Sequence, residues 1–348
     1  MTTFEDTLAA VRPYLRRTLV GDTALAQLAE LAAYLPRGTS SYYFERRLNH
    51  DSDQVDLLAC VTAPDARVTN LAETFANPGP RRDEVRETIG AFCANWCDAR
   101  TALFDAIPQI WLSYDLDRPV CSALRPNLLV CIDPGYLKRR GAPATGPERP
   151  RNHAIVPELL KVIPDDLIAG ASREALQMCI ASLPAGGEAL HVSFMLSRKP
   201  RYCKVNLRIE RSELRPYLER IGWMGSAAEV DAMLSSFLRD ETHIKFQLAV
   251  GGWLASRIEY ELHFEQSNRL EHNPGLGNFL SQARRANLCS AEEACALRDW
   301  PGGFVTRTSA DSWARRRRKW LDLKLVCDPA QPPALKAYLG VMPLRSLF

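Results

Sequence analysis

Residues 202–210 read YCKVNLRIE, and residues 189–198 shortly before them read ALHVSFMLSR. Apolar and polar side chains alternate along both stretches, which is the pattern of a β-strand that buries one face. The same kind of pair recurs along the chain as SYYFERRLN (41–49) with QVDLLACV (54–61), QIWLSYDLD (109–117) with PNLLVCIDP (126–134), THIKFQLAV (242–250) with SRIEYELHF (256–264), and KWLDLKLV (319–326) with ALKAYLGV (334–341). A β-hairpin is therefore repeated five times, and such a repeat predicts the whole fold.

Two helical segments precede each hairpin. We predict helices at residues 4–17 and 22–34, 68–75 and 82–104, 156–162 and 172–182, 212–222 and 227–240, and 275–286 and 291–298. Most begin with a small polar residue or an acidic first turn, as helix N-termini prefer. Hairpins separated by helices predict an α+β fold: a ten-stranded antiparallel β-barrel of five ααββ repeats with the helices outside. Closing the sheet into a barrel removes its exposed edges.

The length of 348 residues would by itself suggest two or three domains. No stretch has the composition of a linker, because the segment richest in Pro and Gly, residues 139–157, lies between a hairpin and the next helix. We therefore predict a single barrel domain over residues 1–348.

Composition excludes several classes of protein. The net charge of +3 is too small to imply a polyanionic partner, and the basic run RRRRK at 315–319 lacks interleaved aromatic residues, so we predict no nucleic-acid partner. We interpret that run as a solvated loop or helix end. No apolar stretch is long enough to span a membrane. The ten cysteines lack paired spacing, which predicts reduced thiols and a cytoplasmic location.

The two faces of the predicted strands differ in polarity. In CKVNLRIE, Val205, Leu207 and Ile209 form one face, and the other carries polar side chains. Amphipathic helices need an apolar surface to cover, so the apolar face should point outward. The polar face then lines the barrel interior, and a polar cavity needs a ligand or ordered water.

Alternation predicts which residues line this interior. They are Glu45, Arg47, Asp56, Ser113, Asp115, Asn127, His191, Ser193, Lys204, Asn206, Arg208, His243, Lys245, Gln247, Arg257, Glu259, Glu261, His263, Asp322, Lys324, Lys336 and Tyr338. Simple hairpin registers place Arg47 beside Asp56 and Lys245 beside Glu261, as ion pairs. They also place Lys324 beside Lys336 with no acid directly opposite. Such like charges repel unless an anion bridges them, and a phosphate or diphosphate is the natural candidate.

This pattern resembles the ABBA-type aromatic prenyltransferases, which include indole, phenol, phenazine and cyanobactin peptide prenyltransferases. The resemblance covers nearly the whole chain by pattern. The segment FERRLN (44–49) matches P-F-E-x-S-x-N of the indole enzymes at Glu45 and Asn49. The stretches KVNLR (204–208), KFQ (245–247) and KAY (336–338) follow the spacing of the family's diphosphate-binding strands.

The resemblance implies transfer of a prenyl group from an allylic diphosphate to an aromatic small molecule or a peptide side chain. Such an activity would belong to natural-product biosynthesis in bacterial secondary metabolism. It implies that Glu45 orients the acceptor and takes its proton, and that Tyr338 shields the allylic cation. The diphosphate would be bound by Lys204, Arg208, Lys245, Gln247, Lys324 and Lys336. The substrates would contact Trp111, Asp115, His191, Glu259 and Glu261.

No metal ligands are implied. The chain has no DDxxD motif, since Asp165-Asp166 lacks the later acid. Basic side chains would then stabilise the diphosphate as it forms, so no cofactor is required, although Mg²⁺ could assist.

The sequence also departs from the family. Asp56 stands near the place where the indole enzymes offer an arginine to the diphosphate, and Tyr338 is the one tyrosine that alternation places as a cation shield. Acidic residues in the lining keep an alternative open: a barrel that binds a peptide without prenylating it. Lysines each tied to Glu259, Glu261 or Asp322 would favour that alternative, whereas a net basic cluster would favour a diphosphate. Metal-assisted hydrolysis through His191, His243 and His263 is a third hypothesis.

Overall fold

The computed structural model describes residues 3–50, 53–76, 83–116, 125–133, 154–238, 241–252, 254–264, 274–306 and 315–343. Its strands are β1 (Thr39–Arg47), β2 (Val55–Thr62), β3 (Gln109–Tyr114), β4 (Asn127–Cys131), β5 (Glu188–Phe194), β6 (Cys203–Glu210), β7 (His243–Val250), β8 (Leu254–Phe264), β9 (Gly302–Thr306), β10 (Arg315–Asp328) and β11 (Gln331–Pro343).

The α-helices fall between the hairpins. They are α1 (Phe4–Val11), α2 (Asp22–Ala32), α3 (Ala63–Val68), α4 (Leu71–Ala76), α5 (Glu84–Cys97), α6 (Leu103–Ala106), α7 (Ile155–Val162), α8 (Gly170–Ala181), α9 (Leu214–Arg220), α10 (Ala227–Phe237), α11 (Pro274–Arg285) and α12 (Ala291–Asp299). Thr3 and Ser290 each form a capping box at the start of α1 and α12. None of these helices is long and apolar enough to cross a membrane.

The sheet closes on itself. The strands follow one another from β1 to β8, then β10 pairs with β8, β11 pairs with β10, and β1 pairs with β11. Every pairing is antiparallel. The predicted ten-stranded barrel is confirmed, and the short strand β9 adds an eleventh that pairs with the first part of β10.

Apolar side chains of the strands point outward and pack under the helices. Val205, Leu207 and Ile209 of β6 are completely buried in one continuous core that also contains helix residues such as Leu176 and Leu218. Removing this apolar surface from water stabilises the barrel and attaches the helix layer to it.

Two local predictions are wrong. The predicted helix at 82–104 is interrupted after Cys97, because Asp98 has extended backbone angles and starts a turn before α6. The basic run at 315–319 belongs to β10 and is not a solvated loop. Arg317 is 1% exposed and donates a hydrogen bond to Thr7 of α1 at 2.9 Å, so its guanidinium anchors a helix to the barrel.

Candidate active site in the barrel lumen

Polar side chains meet inside the barrel across strands that are not neighbours. Lys204 of β6 lies 3.4 Å from Glu259 of β8, although β7 separates these strands. Asn206 of β6 likewise donates to Glu261 of β8 at 3.0 Å. Contacts of this kind run through the interior, so the polar faces do line a lumen as predicted.

A basic cluster surrounds the buried carboxylate of Glu259. Arg257, Lys204 and Lys324 approach it at 2.6, 3.4 and 3.7 Å. Burial opposes ionisation of Glu259, but these cations outweigh it and hold its pKa well below the usual range. Burial also lowers the pKa of Lys204 to about 7, although Glu259 counteracts this effect. Arg257 and Lys324 outnumber the single carboxylate, and Lys204 adds to them when it is protonated, so the cluster has a surplus of positive charge.

Gln247 and Lys245 of β7 extend the basic cluster. The Gln247 amide oxygen accepts hydrogen bonds from Lys204 and Lys324, both at 3.3 Å. Lys245 pairs in register with Glu261, as predicted, and with Arg208 on its other side. Within the described part of the chain, the Lys245 ammonium has no acid within 4.0 Å.

The prediction that Lys324 and Lys336 lie together without an acidic partner is wrong. Lys324 and Lys336 are register neighbours, as expected. However, Lys324 contacts Glu259, and Lys336 donates a hydrogen bond to Glu45 at 2.6 Å. Burial alone would raise the pKa of Glu45, yet Lys336 lowers it to about 2. Hairpin register could not reveal these acids, because they come from the strands on either side of the hairpin.

Aromatic side chains form an apolar wall beside the basic cluster. Trp111 and Tyr338 belong to a small interior cluster with Leu58 and Cys60, separate from the main core. Tyr43 packs on it, with ring centroids 5.0 Å from Trp111 and 6.0 Å from Tyr338. The Lys324 ammonium lies 4.9 Å from the Tyr338 ring centroid, so the wall and the cluster are in direct contact.

Sequence reasoning missed Tyr43 and Trp320. Tyr43 stands two residues from Glu45, and Trp320 stands two residues from Asp322, so alternation places both inside the barrel. Their rings meet edge to face with centroids 5.2 Å apart. Gly340 provides the space, because an added Cβ would lie 2.2 Å from Trp320 Cε2.

Asp322 is the centre of a buried hydrogen-bond network. It contacts His263 Nδ1 and the Tyr43 hydroxyl, and it accepts from Trp320 Nε1 at 3.3 Å. Burial would raise its pKa, but His263 and Tyr43 lower it. Asp322 is therefore a carboxylate that orients the aromatic wall.

The pairing of Asp56 in the lumen differs from the prediction. Asp56 pairs with Glu45 and not with Arg47, which is exposed at the end of β1. The predicted register is wrong by two residues, a shift that alternation cannot detect because it leaves every side chain on the same face. Burial, together with the negative charge of Glu45, raises the pKa of Asp56 to about 6.

Three further predicted site residues are Asp115, Arg208 and His191. Asp115 follows β3 and forms a bidentate pair with Arg198, with both distances at 2.8 Å. Arg208 contacts Glu188 at 3.4 Å. Burial holds the pKa of His191 near 3, so its imidazole is neutral. Among the residues that the structure describes, no group of His, Cys, Asp and Glu is arranged to hold a metal ion.

The closed antiparallel barrel with helices outside is the fold that the resemblance to the ABBA-type prenyltransferases predicts. The chain is similar over nearly its whole length to 5-dimethylallyltryptophan synthase from Streptomyces coelicolor. That comparison has a TM-score of 0.50 and 15% identity, and it covers 97% of each chain.

A second similar structure is the prenyltransferase PriB in a ternary complex with L-tryptophan and dimethylallyl thiolodiphosphate. The TM-score is 0.50 and the identity is 12%, over 97% of this chain and 95% of that one. No protein-family profile and no curated protein sequence matches the chain. At these identities the likeness establishes the fold.

Proposed function

We propose that this protein transfers a prenyl group from an allylic diphosphate to an acceptor held in the barrel lumen. The observation that carries the proposal is the contact between a surplus-positive cluster and an aromatic wall. Lys204, Arg257 and Lys324 share one carboxylate, and Lys324 lies over the ring of Tyr338. The basic cluster can stabilise a diphosphate, and the aromatic wall can stabilise an allylic cation.

The reaction follows from the charges that develop. As the bond between the prenyl carbon and the diphosphate breaks, negative charge grows on oxygen, where Lys204, Lys245 and Lys324 stabilise it. The positive charge grows on the prenyl carbon, which the faces of Tyr43, Trp111 and Tyr338 shield. Gln247 donates its amide to Asn206, so its carbonyl oxygen points toward the lysines and keeps them in place.

The acceptor is proposed to be an aromatic small molecule or the side chain of a peptide. Trp111, Asp115, His191 and Glu261 would contact it, and Glu45 would accept a hydrogen bond from it. We propose that basic side chains do the work that Mg²⁺ does elsewhere, so that transfer persists when divalent ions are chelated. The described cysteines are all free thiols, which supports a reducing compartment such as the cytoplasm.

Calorimetry with dimethylallyl and geranyl diphosphate tests the first half of the proposal. We expect saturable binding, with stabilisation of about 2.7 kcal/mol when the ligand is at 100 times Kd. Lys245→Ala should weaken the affinity about tenfold, which corresponds to about 1.4 kcal/mol. Lys336→Ala should weaken the affinity too. Because this variant also leaves the buried Glu45 carboxylate without its ion-pair partner, the folding of the variant must be checked.

The matched control is Lys161→Ala, because Lys161 lies on the surface of α7 and, among the described residues, pairs with Glu158 of the same helix. The affinity of the Lys161→Ala variant for both diphosphates should equal that of the wild type. Absence of any diphosphate binding by the folded wild type would refute the proposed function.

A second candidate is a barrel that binds a peptide without prenylating it. Lys204 and Lys324 are tied to Glu259, as this candidate requires, and Lys336 is tied to Glu45. Lys245 contacts no acid within the described chain, which favours the diphosphate. Micromolar binding of arginine-rich peptides without any product from dimethylallyl diphosphate would establish this second candidate.

A further inference from the structure

Asp56 is a lumen carboxylate with one oxygen fixed and the other available. Its Oδ1 accepts hydrogen bonds from the Leu116 backbone at 2.8 Å and from the Gln54 amide at 3.0 Å. Within the described residues, Oδ2 accepts none. The two donors on one oxygen fix the plane of the carboxylate, so Oδ2 is held in a defined direction.

The position of Asp56 places it beside the aromatic wall. Leu58, two residues further along β2, belongs to the interior cluster with Trp111 and Tyr338. Residues two apart on a strand share a face and lie about 7 Å apart. Asp56 also pairs across the sheet with Glu45, which accepts a hydrogen bond from Tyr338. Glu45 and Asp56 therefore lie side by side on neighbouring strands, and an acceptor stacked on the wall faces both carboxylates.

We propose that Asp56 is the catalytic proton acceptor of this lumen and takes the proton that the acceptor substrate loses on prenylation. This inference rests on the proposed function. The C–O bond of the prenyl diphosphate breaks, and its electron pair stays on the diphosphate oxygen. The π electrons of the acceptor form the bond to the prenyl carbon. The acceptor then loses a proton to Asp56, and the electron pair of the broken bond to hydrogen returns to the ring. Protonated Asp56 passes the proton to the departing diphosphate.

Glu45 is poorly suited to take this proton. It is tied to Lys336 at 2.6 Å and receives the Tyr338 hydroxyl, so both of these donors stabilise its ionised form. Its pKa is lowered to about 2, whereas the pKa of Asp56 is raised to about 6. Two neighbouring carboxylates with separated pKa values take different roles: one remains an anion and binds, and the other exchanges protons near neutral pH.

The groups that face Asp56 come from several elements. Glu45 of β1 raises its pKa, and Asp115 after β3 raises it less. Gln54 and the Leu116 backbone lower it. Asp115 is neutralised by Arg198, and Glu45 by Lys336. The wild-type rate of transfer should therefore rise with pH through about 6, as Asp56 ionises.

The test separates diphosphate ionisation from acceptor deprotonation. Asp56→Asn, Asp56→Glu and the wild type are compared in single-turnover transfer from dimethylallyl diphosphate to indole, L-tryptophan and 4-hydroxyindole, and in hydrolysis of dimethylallyl diphosphate alone. We expect transfer by Asp56→Asn to fall about 100-fold or more. Its affinity for the diphosphate and its hydrolysis rate should stay within about twofold of the wild type, since neither needs the acceptor proton. Its transfer rate should no longer depend on pH near 6, and Asp56→Glu should restore part of the rate.

Asp105→Asn is the matched control, because Asp105 is exposed on α6, and it should behave as the wild type. Retention of the pH dependence near 6 by Asp56→Asn, or wild-type rates of transfer by Asp56→Asn to an acceptor that the wild type prenylates, would overturn this inference alone. Failure of the wild type to bind the diphosphate would instead overturn the proposed function.

Discussion

Glu45 and Lys336 form a buried ion pair on neighbouring strands, with 2.6 Å between Oε1 and Nζ. The pair sets the ionisation of Glu45, whose pKa falls from 4.5 to about 2 although burial acts in the opposite direction. A carboxyl group with a lowered folded pKa stabilises the protein above its unfolded pKa. That contribution is lost as pH falls through the folded pKa.

Glu45→Gln should therefore destabilise the fold at pH 7 by about 3 kcal/mol, because it leaves the Lys336 ammonium buried without its partner. The difference from the wild type should stay constant down to about pH 4.5 and shrink between pH 4.5 and 2. Urea unfolding at a series of pH values measures this. A double variant, Glu45→Gln with Lys336→Met, should recover most of the loss. A Glu45→Gln penalty that does not change between pH 7 and 2.5 would contradict the assignment.

At the scale of elements, β10 and β11 pack closely because Gly340 of β11 has no side chain. Gly340 pairs with Trp320 across the two strands, and the indole occupies the volume that a Cβ would need. Trp320 donates to the Tyr43 hydroxyl at 2.6 Å, so displacing the indole also disturbs the aromatic wall.

Gly340→Ala should destabilise the protein by about 1–3 kcal/mol, because overpacking forces the indole out of its position. It should also change the near-ultraviolet circular dichroism of the aromatic cluster. Gly277→Ala is the control, since an added Cβ meets nothing within 4 Å on α11, and it should be neutral or stabilising. Equal stability of Gly340→Ala and the wild type would show that the wall tolerates displacement.

Strand elements were easier to predict than their ends. Alternation in β6, β7, β10 and β11 identified the inward faces, because a period of two depends only on local geometry. The sequence does not identify the basic run before Trp320 as a strand, because the burial of this run depends on pairing with β9 and on contact with α1. The break between α5 and α6 was also missed, because both segments have helical periodicity.

At the scale of the whole molecule, closure determines which inward residues meet. Sequence alternation identified Lys204, Glu259 and Lys324 as lumen residues, but it could not bring them together. Their contacts cross the interior between non-adjacent strands, and such distances depend on the stagger and tilt of all strands in a closed barrel. Single-sequence reasoning therefore identifies the lining of this barrel, and coordinates are needed for its ion pairs.

The carboxylate of Glu259 has a further effect on ligand choice. It already occupies the centre of the basic cluster, so an incoming anion must attract Lys204, Arg257 and Lys324 more strongly than one covalently tethered negative charge does. Chloride or acetate brings only a single charge and loses that competition, whereas a multiply charged diphosphate wins it. Glu259→Gln should thus let chloride inhibit diphosphate binding at millimolar concentration in titration calorimetry, while the wild type resists it. An unchanged chloride sensitivity would argue against this role. The barrel would in this way exclude the abundant monovalent anions of its surroundings by means of a resident counter-ion.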